Sequence, residues 1–258
     1  MRSSLEDILL IAGKKMLSYA KPEVYQKSGH ANFVTEADVA VQALLEEQLS
    51  KRWPEAHFLA EEEDVHHLSD GLTFVIDPID GTTNYMRHRR ASVISIGAVE
   101  NGKTVLSAIY DPYHKELYHA ERGKGAYCND ERLHVSSVPF ENALIALGSS
   151  PYESSLAPLT ARCMEQILLQ CADIRRSGTA ARDLCDIAAG RCEASFEWQL
   201  QPWDYCAGSL LVEEAGGQAG NILGGGLTFT EGISFLCATP ACYEALQHLL
   251  LDCRNASL

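Results

Sequence analysis

Apolar residues recur with helical spacing at the start of the chain. Leu5, Ile8, Leu9, Ala12 and Met16 fall on one face of a helix over 5–20. A polar stretch follows, Gln26-Lys27-Ser28-Gly29-His30-Ala31-Asn32. A second helix opens at Thr35-Glu36-Ala37-Asp38 and carries Val39, Leu44, Leu45 and Leu49. Thr35 and Asp38 have the spacing of a capping box, with Asp in place of the usual Glu. Pro54 ends this helix. The period then changes. His57-Phe58-Leu59-Ala60 reads as a short strand ending in Glu61-Glu62-Glu63-Asp64, and Leu72-Thr73-Phe74-Val75-Ile76 as a stronger one ending in Asp77-Pro78. Segments 92–99 and 103–110 flank Asn101-Gly102, a hairpin signal. Segments 116–120 and 125–128 extend the sheet. Residues 1–150 thus read as two helices followed by a largely antiparallel sheet.

The second half alternates. Strands are expected at 143–147, 173–175, 194–197 and 235–237. Helices are expected at 156–170, 179–189, 203–215 and 240–251, the third ended by Gly216-Gly217. Repeats, low-complexity segments and Pro/Gly linkers are absent, and Gly224-Gly225-Gly226 reads as a loop. The expectation is a mixed α/β (α+β) fold, with 1–258 forming one domain of two subregions, about 1–140 and 141–258.

Composition narrows the function. With 258 residues, 46% of them hydrophobic, the chain can bury a sizeable core without staples. Its net charge of −14 argues against a nucleic-acid or membrane partner, since both want clustered Lys and Arg. A small phosphorylated ligand is anionic too, so a bound cation must reverse the field locally. The nine cysteines form no C-x-x-C pair, which removes support for zinc or redox chemistry and leaves buried thiols in a reducing cytosol. The N-terminus leads into an amphipathic helix rather than a signal-peptide core, and no apolar run reaches membrane-spanning length. A cytoplasmic protein is expected.

Four acidic residues, Glu61, Asp77, Asp80 and Asp204, stand at the ends of expected elements, where open sheets place ligands. Hard divalent cations want several oxygen ligands, and magnesium wants a few carboxylates plus water and phosphate. Asp77 and Asp80 are three apart, with Pro78 stiffening the turn between them. That turn can also present the carbonyl of Ile79. Gly81 permits close backbone approach, and a helix starting at Thr82 would aim free amides at a phosphate. Taken alone, such an acidic turn is more often a solvated loop, and the strand before it and Gly81-Thr82-Thr83 after it favour the site. Asp204 also reads as an ordinary helix N-terminal acid. Glu61 also reads as part of a solvated acidic run, with Glu62, Glu63 and Asp64 solvated beside it. A structural calcium site is a further reading, but the EF-hand loop pattern is absent and Gly81-Thr82-Thr83 has no role in it. There is no G-x-x-x-x-G-K-[ST] loop for nucleotide phosphates.

Together these segments resemble a known family. Asp77-Pro78-Ile79-Asp80-Gly81-Thr82-Thr83 resembles the first signature of the inositol monophosphatase family, and Gln201-Pro202-Trp203-Asp204-Tyr205-Cys206-Ala207-Gly208 its second. Ala60-Glu61-Glu62 looks like the family's Gly-Glu-Glu, and Arg176-Ser177-Gly178-Thr179-Ala180-Ala181 like its central Gly-[Ser/Thr]-Ala segment. The motifs keep the family order over nearly the whole chain.

The resemblance implies a layered αβαβα sugar-phosphatase-like fold and a lithium-sensitive hydrolase using two or three Mg2+ ions. Glu61, Asp77 and the Ile79 carbonyl would hold one ion, Asp77, Asp80 and Asp204 a second, and Glu61 a weaker third. Gly81 and Thr82 would receive the phosphate. Asp80, Gly178, Thr179, Ala180, Glu197 and Asp204 would line the substrate, and Asp38 and Thr82 would help Glu61 orient the attacking water. Lys27 corresponds to the family's flexible-loop lysine. The implied reaction is direct hydrolysis of a small phosphorylated polyol, myo-inositol monophosphate foremost, by a homodimer. Histidinol phosphate, fructose 1,6-bisphosphate, NADP and 3′-phosphonucleotides are the alternatives, and a regulatory protein-binding role is the non-enzymatic one. Ala60 and Cys206 are small departures from the family pattern. Trp198, beside Glu197, is expected to crowd the substrate side.

Overall fold

The computed structural model describes residues 2–27, 32–62, 68 and 70–256. Helix α1 (Arg2–Ser18) is followed by a two-stranded antiparallel ribbon, β1 (Val24–Gln26) and β2 (Phe33–Thr35), and by α2 (Glu36–Arg52). The capping box forms as its spacing predicts: Thr35 accepts from the amides of Ala37 and Asp38, and the Asp38 carboxylate takes the Thr35 N–H. The buried stripe of α2 is Ala37, Val41, Leu45 and Leu49. Val39 lies two residues from that stripe on either side, so the helical period turns it to solvent, 54% exposed.

A seven-stranded sheet follows in simple chain order. Its strands are β3 (His57–Ala60), β4 (Thr73–Asp80), β5 (Val93–Glu100), β6 (Lys103–Asp111), β7 (Glu116–Glu121), β8 (Ala126–Cys128) and β9 (Glu131–Arg132). Strands β3 and β4 are parallel and the other pairs antiparallel. Asn101 and Gly102 turn the β5–β6 hairpin, both with positive φ, as the tight turn requires. A short helix α3 (Thr82–Met86) leaves the end of β4.

The second half is β10 (Leu144–Leu147), α4 (Ala157–Gln170), β11 (Asp173–Arg175), α5 (Ala180–Ala188), β12 (Ala194–Leu200), α6 (Pro202–Glu214), β13 (Gln218–Asn221), β14 (Ile233–Ala238) and α7 (Tyr243–Asn255). Its sheet has the order β11-β10-β12-β14-β13, with β14 antiparallel to both neighbours. The short β1, β2, β9 and β13 span only two to four residues, too few for a strand period to show. Helix α7 starts three residues later than expected, because Pro240 and Ala241 lie in a turn.

Three apolar clusters stack these elements into five layers. Helices α1 and α2 pack on one face of the large sheet through Leu9, Leu45, Phe74 and Ile96. Helices α5 and α6 fill the space between the sheets, with Val75, Ile109 and Tyr118 on one side and Phe235 and Cys237 on the other. Helices α4 and α7 cover the outer face of the small sheet through Ile167, Phe196 and Leu250. The order is αβαβα. Helix α6 lies almost on the backbone of β5: a Cβ on Gly97 would meet Cys206 Sγ at 2.4 Å. That approach brings the N-terminus of α6 down to the end of β4. All nine cysteines are free thiols, and seven are buried. No helix among the described residues is long and apolar enough to cross a membrane.

Candidate metal and phosphate site

Strand β4 is buried at all eight positions. Along it, Phe74 and Ile76 face α1 and α2, while Val75 faces α5 and α6. The alternation carries Asp77 to the α6 side. Between Asp77 and Asp80 the register to β5 slips: Asp77 pairs with Ser95 and Asp80 with Val93. One extra residue is therefore bulged out around Pro78, which has no N–H to lose. Across this bulge both carboxylates reach the same side of the strand. The Ile79 amide donates to Asp77 Oδ1 at 3.0 Å, leaving the other oxygen of Asp77 for a ligand.

Asp204 arrives from α6. Its Oδ2 accepts from the Gln201 amide at 3.0 Å, so it does cap the helix, and its carboxylate also reaches the site. Asp77, Asp80 and Asp204 each offer an oxygen within 4.8 Å of the others. No Lys, Arg or His is paired with any of the three among the described residues. Three carboxylates that close in an apolar setting repel one another strongly. Burial, followed by Glu61, Asp80 and Asp204, holds Asp77 well above the usual carboxylate range. Burial likewise pushes Asp80 up to about 8, against the opposing hydrogen bond from Ala181. A divalent cation is the natural counter-charge for this donor set, and the oxygens are of the hard type that magnesium or calcium takes.

Around this centre the chain forms a cleft of about 660 Å³ lined by most of the expected residues. Glu61, Ile79, Gly81, Thr82, Gly178, Thr179, Ala180, Glu197 and Lys27 all face it. Gly81 has φ of 85°, and a Cβ there would meet Thr179 Oγ1 at 2.3 Å. Both the turn and the contact demand glycine. Thr82 Oγ1 lies 3.3 Å from Asp38 Oδ1 and 3.3 Å from the Ile79 carbonyl. Asp38 itself is behind the cleft, its Oδ2 held by the Thr35 amide at 2.8 Å, and burial pushes it up to about 6. On the opposite wall, Glu197 Oε1 accepts from the Ser150 amide at 2.5 Å. A Cβ on Gly148 would overlap the Glu197 carboxylate, so Gly148 makes the room for it.

Two expectations are corrected. Glu62 is not solvated: its side chain is 8% exposed and pairs with Lys27 Nζ at 2.5 Å, which also lies 3.3 Å from Glu61. Parallel pairing of β3 with β4 brings this acidic pair inward. Burial, then Glu61, pushes Glu62 up to about 7. Glu63 and Asp64 lie outside the described residues. Trp198 does not crowd the substrate side. One residue past Glu197 on β12, it points to the opposite face and packs with α4 and α7. Trp203 lines the cleft instead. The sequence reading also missed Tyr152, Arg176 and Asp183, which all face the cleft. Tyr152 sits on the loop after β10, and loops at strand ends are the signal that pointed there. Asp183 follows Thr179 by one helical turn, and burial pushes it up to about 7.

Comparisons with known proteins find relatives over most of the chain. The model of the inositol monophosphatase family matches residues 3–255. The Nus factor SuhB of Salmonella typhimurium is 36% identical over 212 residues, 81% of this chain and 79% of that protein. The inositol-1-monophosphatase of Bacillus subtilis is 35% identical over 239 residues, 89% of this chain and 87% of that one. The crystal structure of the extragenic suppressor protein suhB from Bartonella henselae superposes with a TM-score of 0.89 at 32% identity, covering 96% of this chain and 97% of that chain.

Proposed function

The chain belongs to the inositol monophosphatase family, and from that premise we propose that it is a magnesium-dependent phosphatase whose main substrate is an inositol monophosphate. The convergence of Asp77, Asp80 and Asp204 oxygens within 4.8 Å, with no paired cationic side chain among the described residues, carries this reading. Glu61, Asp77, the Ile79 carbonyl, Asp80 and Asp204 would hold two or three ions. Bound magnesium neutralises phosphate charge and lowers the pKa of water held beside it.

The chain's own residues do the rest. Gly81 and Thr82 present backbone amides to the phosphate. The Thr82 hydroxyl donates a hydrogen bond to Asp38 Oδ1 and so turns a lone pair toward the water that Glu61 orients. Glu197, Gly178, Thr179 and Ala180 receive the alcohol, with Glu197 held still by the Ser150 amide so that it can accept a polyol hydroxyl. The same proposal takes the chain as one domain, homodimeric and cytoplasmic. Phosphate release from myo-inositol 1-phosphate, histidinol phosphate, fructose 1,6-bisphosphate, NADP and a 3′-phosphonucleotide, each with magnesium, tests it. Highest kcat/KM on the inositol ester is expected. No release from any ester would sink the enzyme reading, and a preference for another ester would sink the substrate.

The Salmonella relative is named a Nus factor, which supports a second reading, a regulatory binding role beside or instead of turnover. A cell in which an Asp77→Asn chain replaces the wild type and grows normally would favour it.

A further inference from the structure

Two consecutive residues of α5 dock on the same end of the large sheet. The Ala181 amide donates to Asp80 Oδ2 at 2.6 Å. The next residue, Arg182, sends its guanidinium to Asp111 Oδ2. The register places the two acceptors in one row: Asp80 pairs with Val93, and Tyr110, one residue before Asp111, pairs with Ile94. Asp80 and Asp111 therefore mark the ends of strands two apart in the sheet, and the first turn of α5 spans them.

Asp111 is a fixed post. Its side chain is fully buried, and Oδ1 accepts from the amides of Tyr113 at 2.9 Å and His114 at 3.1 Å. Arg182 is 18% exposed, and its remaining neighbours are more distant, Asp186 at 3.6 Å and Glu116 at 3.8 Å. The residue before the helix is tied separately: Thr179 Oγ1 donates to the Ala91 carbonyl and accepts from Asn84 Nδ2 at 2.9 Å. One tether leaves a helix free to pivot about that point. A second tether, two strands away, removes the pivot and sets how the Ala181 N–H meets Asp80.

We propose that Arg182, anchored by Asp111, is a positioning residue that orients the Asp80 carboxylate through the Ala181 amide. The inference rests on the reading of Asp80 as a metal-side carboxylate. The guanidinium reaches Asp111 through Nη1, with Nη2 turned toward Glu116 and Nε toward Asp186, a spread that the point charge of lysine cannot reproduce, so Arg182→Lys loosens the tether while keeping the charge. Asp111→Asn loosens it from the other side and keeps the size.

The test follows amide hydrogen exchange at Ala181 in the metal-free protein, together with calorimetric titration of magnesium or manganese. Exchange at Ala181 is expected to speed up, and metal affinity to fall by about tenfold, in both variants, while KM for the ester moves little, in the range usual for lost outer-shell partners. Arg191→Lys is the control. Arg191 joins the same charge network through Glu116 at 3.0 Å and Asp186 at 3.4 Å, but makes no bond to the first turn of α5. It is expected to leave both readouts unchanged. Unchanged Ala181 exchange in both Arg182→Lys and Asp111→Asn overturns the proposal, as does an equal change in Arg191→Lys. A wild-type protein that binds no cation and releases no phosphate would end the phosphatase reading instead, and Ala181 exchange would still test the tether.

Discussion

The two walls of the cleft solve opposite problems. The metal wall, Asp77 and Asp80 on β4 with Asp204 on α6, crowds negative charge that the described residues leave without a cationic partner. Each of these carboxylates has one oxygen tied by a backbone amide: Ile79 holds Asp77, Ala181 holds Asp80 and Gln201 holds Asp204. Those bonds aim the groups without neutralising them. The opposite wall, built on β12 and the start of α5, spaces its carboxylates apart, Glu197 on the strand and Asp183 on the helix. The Ser150 amide donates to the Glu197 carboxylate, and burial lifts Glu197 only to about 6. On the proposed function an ion would complete the first wall. The second is complete without one and is shaped by how closely backbones approach. Chemistry and selectivity should therefore come apart under mutation.

The largest effect is expected at the metal wall. On the proposed function Asp77→Asn removes a charge that would help hold more than one ion, and loss of several kcal/mol of transition-state stabilisation lowers kcat by about a thousandfold or more. Steady-state phosphate release reads this directly, and near-normal turnover would break the assignment. A second prediction concerns pH. Asp80, at about 8, and Asp77 and Asp204, both held well above the usual carboxylate range by burial, bind protons in the fold that they would release when unfolded. Their contribution favours the fold at low pH and is lost as pH rises from about 4 toward 8. In protein stripped by chelator, Tm should fall over that range, and saturating magnesium should flatten the fall. A chelated protein whose Tm rises from pH 6 to 8 would contradict the crowded-charge picture.

The alcohol wall should respond differently. Gly148→Ala places a methyl where the Glu197 carboxylate sits and displaces it. KM for the ester should rise by about tenfold, equal to a lost hydrogen bond to a charged group, while inhibition by inorganic phosphate stays the same. An equal loss of phosphate affinity would mean that the two walls are not separable. The smallest effect is expected at Trp198. Because it faces α4 and α7, Trp198→Phe should cost about 1–3 kcal/mol of stability in a denaturant melt and leave kcat/KM within about twofold. A large kinetic change there would put the tryptophan back on the substrate side.

Much of the first wall was readable along the chain, because its parts are local. The Asp77–Asp80 spacing, Pro78 between them and Gly81 after them lie within five residues, and strand alternation fixes their side. The capping box at Thr35 and Asp38 was equally local, although the contact of Asp38 with Thr82 spans 44 residues and came only through the family resemblance. The second wall was harder. Glu197 was visible as a strand-borne acid, but the expected strand stopped at 197; only its continuation to Leu200, with Ser195, Glu197 and Gln199 alternating against Phe196 and Trp198, turns the tryptophan to the opposite face. Glu62 was read as solvated because an acidic run looks alike in a loop and in a buried pair. The partner that changes its meaning, Lys27, lies 35 positions earlier.

The sequence by itself determined the order of the longer elements, the α/β class, the acidic turn at the end of β4 and the family to which the chain belongs. These rest on short-range patterns: helical and strand periods, turn residues and motif spacing. Only the tertiary structure decided which acid meets which. Asp204 reaches Asp77 because Gly97 lets α6 lie against β5, Glu197 stands in the cleft because Gly148 leaves it room, and Ala181 meets Asp80 because α5 is tied at both Thr179 and Arg182. Each is a contact between residues many positions apart, set by packing distances that no local pattern records.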